Sequence, residues 1–430
     1  MTRLAPERSF VFGPGLPGST FRFQNGLRLH VLPDHAAPVV AFQSWFSVGS
    51  RHERAGKTGL AHLLEHLMFG ATKRHPLGEF DRLMEEAGAE VNAATWLDWT
   101  FYYENLPRDA FPLALELEAD RMRSLVIGER EVATEKEVVE NERRMRVDDD
   151  VDGAAEEALW QLAFGRHPYG HPTIGWLEDI RGFTARDCRE FYEAHYAPNA
   201  ATLVVVGDVD VDETVERVRE LYGRFKPRTR PAERRVERRL PERERRKTLR
   251  LPTPIPRVEV GYRAFSARDP RFAAITLLSE LLFGGRGAPL VDALVHRDEL
   301  CLAVRGGANP FELDGLFEVS LTCRPETSPE DALAAFDRRL AEALEKGFSA
   351  KDLVRAKNRV EFQTLSSFET ALGKAESLGF HDLVLGVPEG AFATLERQRA
   401  LTAPELLSLA KELFDPKRRS VVLVERSEAA

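Results

Sequence analysis

An α+β chain of two homologous domains, each a largely antiparallel sheet packed by helices, is what this sequence predicts. Three observations predict it. Segments recur in the same order at a nearly constant shift. Strand-like and helix-like stretches are mixed rather than strictly alternating, which argues against a doubly wound parallel sheet. The 430 residues are 43% hydrophobic, 30% charged and 9% aromatic, the balance of a folded globular protein. A formal charge of −9 gives no overall basic field for a phosphate backbone, so no nucleic-acid partner is expected. Cys188, Cys301 and Cys323 are odd in number and lack C-x-x-C spacing. They read as buried small apolar residues, not as a disulfide framework or a thiolate metal site.

The repeat is legible in three places. Thr184 to Asp208 lies over Thr402 to Arg426 at a shift of 218, each a helix opening at Thr, a Pro, then an apolar strand. PVVAFQSWFS from Pro38 lies over PRVEVGYRAFS from Pro256 at the same shift, with a one-residue slip at the far end. LLEHLMFG, Leu63 to Gly70, lies over LLSELLFG, Leu277 to Gly284, at a shift of 214. Between the copies runs KPRTRPAERRVERRLPERERRK, rich in Arg, Glu and Pro, which suits a solvated linker. The expected domains are therefore 1–227, a charged linker over 228–243, and 244–430.

Within the first copy the pattern predicts strands at 21–32 and 38–48, helices at 58–69 and 77–87, and a strand pair over 89–106. Long helices over 108–147 with a break near Gly128 follow, then helices at 153–163 and 184–195 and a strand at 201–207. The Gly-rich pieces at the amino terminus and at 283–287 match no phosphate-binding motif and read as turns. His167 and His171 read as turn residues, and Asp148 to Asp150 with Asp152 as a solvated loop, since neither set has a metal-site pattern. The amino terminus holds no apolar run of signal-peptide length and no membrane span appears later, so a cytoplasmic location is expected. A periplasmic one follows if an export signal has been trimmed.

The informative segment is GLAHLLEHLMFGAT, in which His62, Glu65 and His66 form H-x-x-E-H. With 11 histidines in 430 positions, chance would produce the pattern roughly 0.03 times. On a helix, His62 and His66 project from one face a turn apart and can share one zinc ion. Glu65 lies beside them, placed as a general base. The matching positions of the second copy are Thr276, Ser279 and Glu280, so only the first copy has a metal set. A catalytic zinc takes three protein ligands and keeps an open position. The third is sought in EREVATEKEVVENERRM, with acids at Glu129, Glu131, Glu135, Glu137, Glu140 and Glu142. Glu135 and Glu142 share a face two turns apart, but spacing alone does not choose among the six.

The sequence resembles the pitrilysin/insulinase family of inverted-motif zinc metallopeptidases, most closely the short-chain branch with the mitochondrial processing peptidase β subunit and bacterial relatives. The likeness covers nearly the whole chain and includes the duplication, the HPYGHPTIG segment at 167–175 and NAATWLDWTFYY from Asn92 to Tyr103. It implies one Zn2+ per chain held by His62, His66 and Glu142, Glu65 as the general base, and Glu135 as an acid of the outer shell. Asn141 stands where many relatives have a second acid. The resemblance also implies a peptide substrate, cleaved as an endopeptidase would cleave it and bound as an added strand beside Asn92 and Ala93, where small side chains let a backbone approach. A noncatalytic scaffold subunit is the alternative the family offers. Relatives that work alone carry an Arg and a Tyr clamp opposite the zinc. Here Pro289 stands where the Arg would be and Leu300, Cys301 and Leu302 lie around the Tyr positions, which implies a heterodimer with a related metal-free subunit supplying the clamp, a homodimer being the alternative.

Overall fold

The computed structural model describes residues 4–232, 236 and 240–427. The expected linker, 228–243, lies in part outside these residues. The strands are β1 (Arg8–Phe12), β2 (Leu16–Arg22), β3 (Arg28–Pro33), β4 (Val39–Phe46), β5 (Glu90–Thr95), β6 (Thr100–Pro107) and β7 (Ala201–Gly207). After them come β8 (Arg245–Leu251), β9 (Arg257–Arg263), β10 (Cys301–Ala308), β11 (Leu316–Cys323) and β12 (Arg419–Arg426). Helices α1 (Leu60–Met68), α2 (Glu79–Glu86), α3 (Phe111–Ser124), α4 (Glu129–Arg143), α5 (Val151–Phe164), α6 (Leu177–Arg181), α7 (Ala185–His195) and α8 (Val211–Tyr222) belong to the first copy. The second has α9 (Phe272–Phe283), the one-turn α10 (Pro289–Val291), α11 (Pro329–Lys346), α12 (Ala350–Ser367), α13 (Ala371–Leu385), α14 (Gly390–Ala400) and α15 (Ala403–Leu413).

The two sheets have one topology. The first runs β1-β2-β3-β7-β4-β6-β5 and the second β10-β11-β9-β12-β8. Read from the other end, β8-β12-β9-β11-β10 matches β3-β7-β4-β6-β5 strand for strand. Among the described residues only the β3–β7 and β12–β8 pairs are parallel, and they are equivalent pairs. The duplication seen in short sequence matches therefore extends to strand order and direction, and the first sheet adds the β1–β2 hairpin.

One expected strand, 21–32, is two. Asn25-Gly26 interrupts it: Gly26 takes φ +88°, Phe23 and Leu27 pair across the turn (N···O 2.9 Å), and the chain reverses as an Asn-Gly pair between apolar runs should. The expected break near Gly128 separates α3 from α4. Asp150, expected in a solvated loop, accepts the Gly153 N–H at 2.7 Å and caps α5.

The chain forms two compact units, each drawing on both copies. One contains Met1–Glu142, Pro172–Arg234 and Ser366–Phe392; the other contains Arg143–His171, Arg235–Leu365 and Ala393–Ala430. These units differ from the contiguous sequence repeats by the exchange of segments between them. In the first unit α13, from the second copy, packs on β4 and β7. Lys374 pairs with Asp34 at 2.9 Å, and Asp382 meets Arg28 at 2.8 Å and buried His30 at 3.2 Å. Gly379 makes the approach feasible, since a Cβ there would lie 2.2 Å from the Trp45 indole nitrogen. In the second unit α5, from the first copy, packs on β8, β9 and β12.

That second packing traps acids. Trp160 on α5 donates its indole N–H to Glu318 on β11 (3.0 Å), and Ser320 donates to Glu259 on β9 (2.7 Å). Burial, reinforced by the Glu156 carboxyl, pushes Glu318 up to about 8. Burial, with Glu318, Asp152 and Glu156 nearby, does the same to Glu259. Both folded values exceed the unfolded ones, so the stability these groups contribute is full below the ordinary carboxyl range and is lost as pH rises through about 8. The thermal midpoint is expected to fall between roughly pH 5 and pH 8, and Glu318→Gln to remove about half of that dependence. Parallel melting curves for variant and wild type across this range would refute it.

Candidate active site

The first unit positions the H-x-x-E-H residues on α1. Leu60, Ala61, Leu63, Leu64, Leu67 and Met68 bury one side of this helix, leaving His62, Glu65 and His66 on the other. Its amino end is held from outside the helix. Glu53 accepts the N–H groups of Gly59 (2.8 Å) and Ala61 (2.7 Å), two donors that a helix start leaves without an intrahelical partner. Gly59 takes φ +91°, and a Cβ there would sit 2.4 Å from the Ile174 carbonyl, so the tight entry requires glycine.

α4 brings its acids to that face selectively. Glu142 Oε2 lies 3.6 Å from His62 Nε2 and 3.3 Å from His66 Nε2. The three ligand atoms lie within 4.8 Å of one another, the one such group of three or more His, Cys, Asp or Glu among the described residues. Glu135, two turns earlier, meets the other ring nitrogen, its Oε2 3.5 Å from His66 Nδ1. Glu129 and Glu137 are exposed, and Glu140 pairs with Arg181 at 3.0 Å. Spacing left six acids open; packing separates Glu142 and Glu135 from the rest. Burial by itself would lower the His66 pKa, but the carboxylates of Glu135, Glu142 and Glu65 outweigh it and hold the value at about 9. The site thus favours a positive charge among its donors. Two imidazoles and a carboxylate converging in such a field fit a divalent cation of the zinc type.

Glu65 is tied to the neighbouring sheet. Thr95, the last residue of β5, donates its hydroxyl to Glu65 Oε2 and lies 3.3 Å from the Thr100 hydroxyl, which in turn donates to the Val48 carbonyl at 2.9 Å. β5 is the outermost strand and pairs with β6 alone. Asn92 is exposed on it, and its side-chain oxygen accepts the Ala93 N–H at 2.8 Å. That amide is therefore turned away from β6, towards the open edge. Thr95 and Glu53 were not singled out as site residues in the sequence. Thr95 reads there as a β-former, and Glu53 caps α1 from six residues ahead of Gly59, outside any local capping pattern.

Residues 30–176 match the family model described as Insulinase (Peptidase family M16), and residues 182–360 match that described as Peptidase M16 inactive domain. The chain belongs to the M16 peptidase family. Among M16 relatives it is 28% identical to the zinc protease PqqE of Helicobacter pylori over 408 residues, 94% of this chain and 91% of that one. It is 23% identical to the probable mitochondrial-processing peptidase subunit beta of Arabidopsis thaliana, over 84% of this chain and 70% of that one. The crystal structure of a protease from Helicobacter pylori superposes with a TM-score of 0.91 at 25% identity, covering 96% of this chain and all of that one. Together these likenesses support a zinc protease-like protein of the M16 type.

The second M16 match falls where the metal set is missing. On α9, Ser279 donates to the Gly306 carbonyl and buried Glu280 pairs with Arg359. The positions that carry donors on α1 are spent on structural contacts here. Among the described residues no helix is long and apolar enough to cross a membrane.

Proposed function

We propose that this M16 chain is a zinc-dependent endopeptidase that hydrolyses peptides or unfolded segments held as an added strand on β5. The observation that carries the reading is the convergence of His62, His66 and Glu142 on one point, with Glu65 fixed beside it by the edge strand itself. Zinc bound by these three residues would supply a Lewis acid that polarises the scissile carbonyl and acidifies water. Glu65 takes the proton of the attacking water and returns it to the leaving amine. Glu135 steadies the His66 ring through Nδ1. The substrate backbone pairs with the outward amide of Ala93, with the Asn92 side chain giving way. Because Thr95 ends the same strand, substrate pairing and base position are coupled through one element.

The test is to digest a random peptide library with metal-replete protein and read the products by mass spectrometry. His66→Ala and Glu142→Gln should lose both zinc, by elemental analysis, and cleavage. Cleavage that survives in zinc-free variants would overturn the proposal. Replacing Ala93 with Pro removes the outward amide, so peptide kcat/KM is expected to fall about 100-fold with zinc content intact. Unchanged peptide kinetics would move the binding strand elsewhere.

The same reading includes a partner. The segment from Gly284 to Gly307 holds Pro289, Leu300, Cys301 and Leu302 at the clamp positions, so a related metal-free chain would complete the enzyme by supplying Arg and Tyr. One relative is itself named a subunit beta. Adding the metal-free relative from the same source is expected to raise peptide hydrolysis by at least tenfold, on the order of one lost binding contact. Full activity of the chain alone, with no complex on size exclusion, would leave the homodimer as the working form.

A further inference from the structure

Two of the three cysteines, far apart in sequence, meet in the second sheet. Cys301 opens β10 and Cys323 closes β11, and they stand directly opposite each other in that antiparallel pair. The hydrogen bonds around them define the kind of pair. Arg324 donates its N–H to the Leu300 carbonyl at 2.9 Å, one position further out. Cys323 sends its own N–H the other way, to Pro256 at 3.0 Å. Hydrogen-bonded and non-hydrogen-bonded pairs alternate along an antiparallel ladder, so Cys301 and Cys323 form a non-hydrogen-bonded pair. In such a pair Cα atoms are about 4.5 Å apart and side chains approach most closely. Disulfides span Cα separations of about 4.4 to 6.8 Å. Cys323 Sγ donates to the Leu321 carbonyl at 3.9 Å, and this thiol, beside Cys301, holds Cys301 below its ordinary value against the effect of burial. The neighbouring Cys301 thiol, with burial, pushes Cys323 up.

Both side chains are fully buried, yet the pair lies where a sheet opens most easily. β10 is an edge strand, the register slips between Cys301 and Ala303, and Leu302 within that slip is exposed. Strand ends and bulged edges open locally at lower free energy than the centre of a sheet.

We propose that Cys301 and Cys323 are a redox-responsive pair that exchanges with small-molecule disulfides to form a cross-strand disulfide fastening β10 to β11. The Cys301 thiolate attacks one sulfur of the small disulfide, forming a mixed disulfide and expelling one thiolate. The Cys323 thiolate then attacks Cys301 Sγ and expels the second. Two electrons pass from the cysteines to the small disulfide, and the two cysteine protons end on the two released thiols. β10 is the counterpart of β5 in the shared topology, so the bond would fix the outer strand of the second sheet in oxidising surroundings and leave it free to open in reducing ones.

The test equilibrates the full chain, without denaturant, across a series of reduced to oxidised glutathione ratios, followed by alkylation, digestion and mass spectrometry. At the oxidising end the peptides carrying Cys301 and Cys323 should be recovered joined. Cys188, buried on α7 with its thiol pushed up to about 12, should be recovered alkylated. The thermal midpoint should rise by roughly 5 °C on oxidation, and Cys301→Ala should abolish the rise. Recovery of Cys301 and Cys323 unlinked or as separate glutathione adducts across the whole series, and again after refolding in the oxidising buffer, would overturn the proposal. The wild-type peptide map decides this even if the variant fails to fold.

Discussion

Glu65→Gln is expected to keep its zinc and to lose about 10³-fold in peptide kcat. The amide matches the carboxylate in shape, and its oxygen can still accept the Thr95 hydroxyl that now meets Oε2. The side chain should therefore stay in place beside the three converging donors. What disappears is basicity: an amide cannot take a proton from water near neutral pH. Elemental analysis should find wild-type zinc, peptide KM should change little, and the loss should fall on kcat, the pattern of an interaction used only in the transition state. Wild-type turnover in this variant would remove Glu65 from the role of base, and loss of zinc would make it a ligand.

The second large effect concerns stability. Arg121 on α3 is buried with two acids, paired with Glu118 and 3.4 Å from Glu104. Its guanidinium lies 4.5 Å from the Tyr102 ring centroid, 4.8 Å from Phe80 and 5.2 Å from Phe69. Burial, with the Glu118 carboxylate next to it, holds the Glu104 carboxyl well above its ordinary range. Arg121→Met would leave two buried acids facing each other without their cation. Breaking a buried pair from one side costs about 3–5 kcal/mol, roughly 10 °C in a unit of this size. Phe69 follows α1 directly, so the damage should spread to the helix that carries His62 and His66. Adding Glu104→Gln and Glu118→Gln to Arg121→Met should recover much of the loss, since no charge is then stranded. Thermal melts of the two variants check this; equal melting of Arg121→Met and wild type would show that the cluster contributes nothing.

Much of the site was legible because it obeys local rules. His62 and His66 are one helical turn apart, and that periodicity survives any tertiary context. The third donor was not local. Six acids along α4 satisfy the sequence equally well, and only packing against α1 turns Glu142 to both Nε2 atoms and Glu135 to Nδ1. The duplication was visible in three short matches, yet the helix exchange was not, because an apolar helix face records that it needs a sheet without recording which one. The break within 21–32 is local by contrast: Asn25-Gly26 is a hairpin signal, and the apolar runs on either side of it mimic one continuous strand. Cys301 and Cys323 are free and buried, as their spacing suggests, but nothing in that spacing announces that they face each other across two strands.

The composite make-up of each unit has a historical consequence. Two copies of a single ancestral repeat, each lending one helix to the other's sheet, would form an intertwined dimer, and joining them head to tail would give a chain whose units are assembled as these are. Copies joined in this way need not remain interchangeable. The first could keep a donor set on α1 while the second gave the same positions to Ser279 and Glu280. The exchange also makes the copies interdependent, since neither could be lost without stripping the other's sheet of a helix that packs on it.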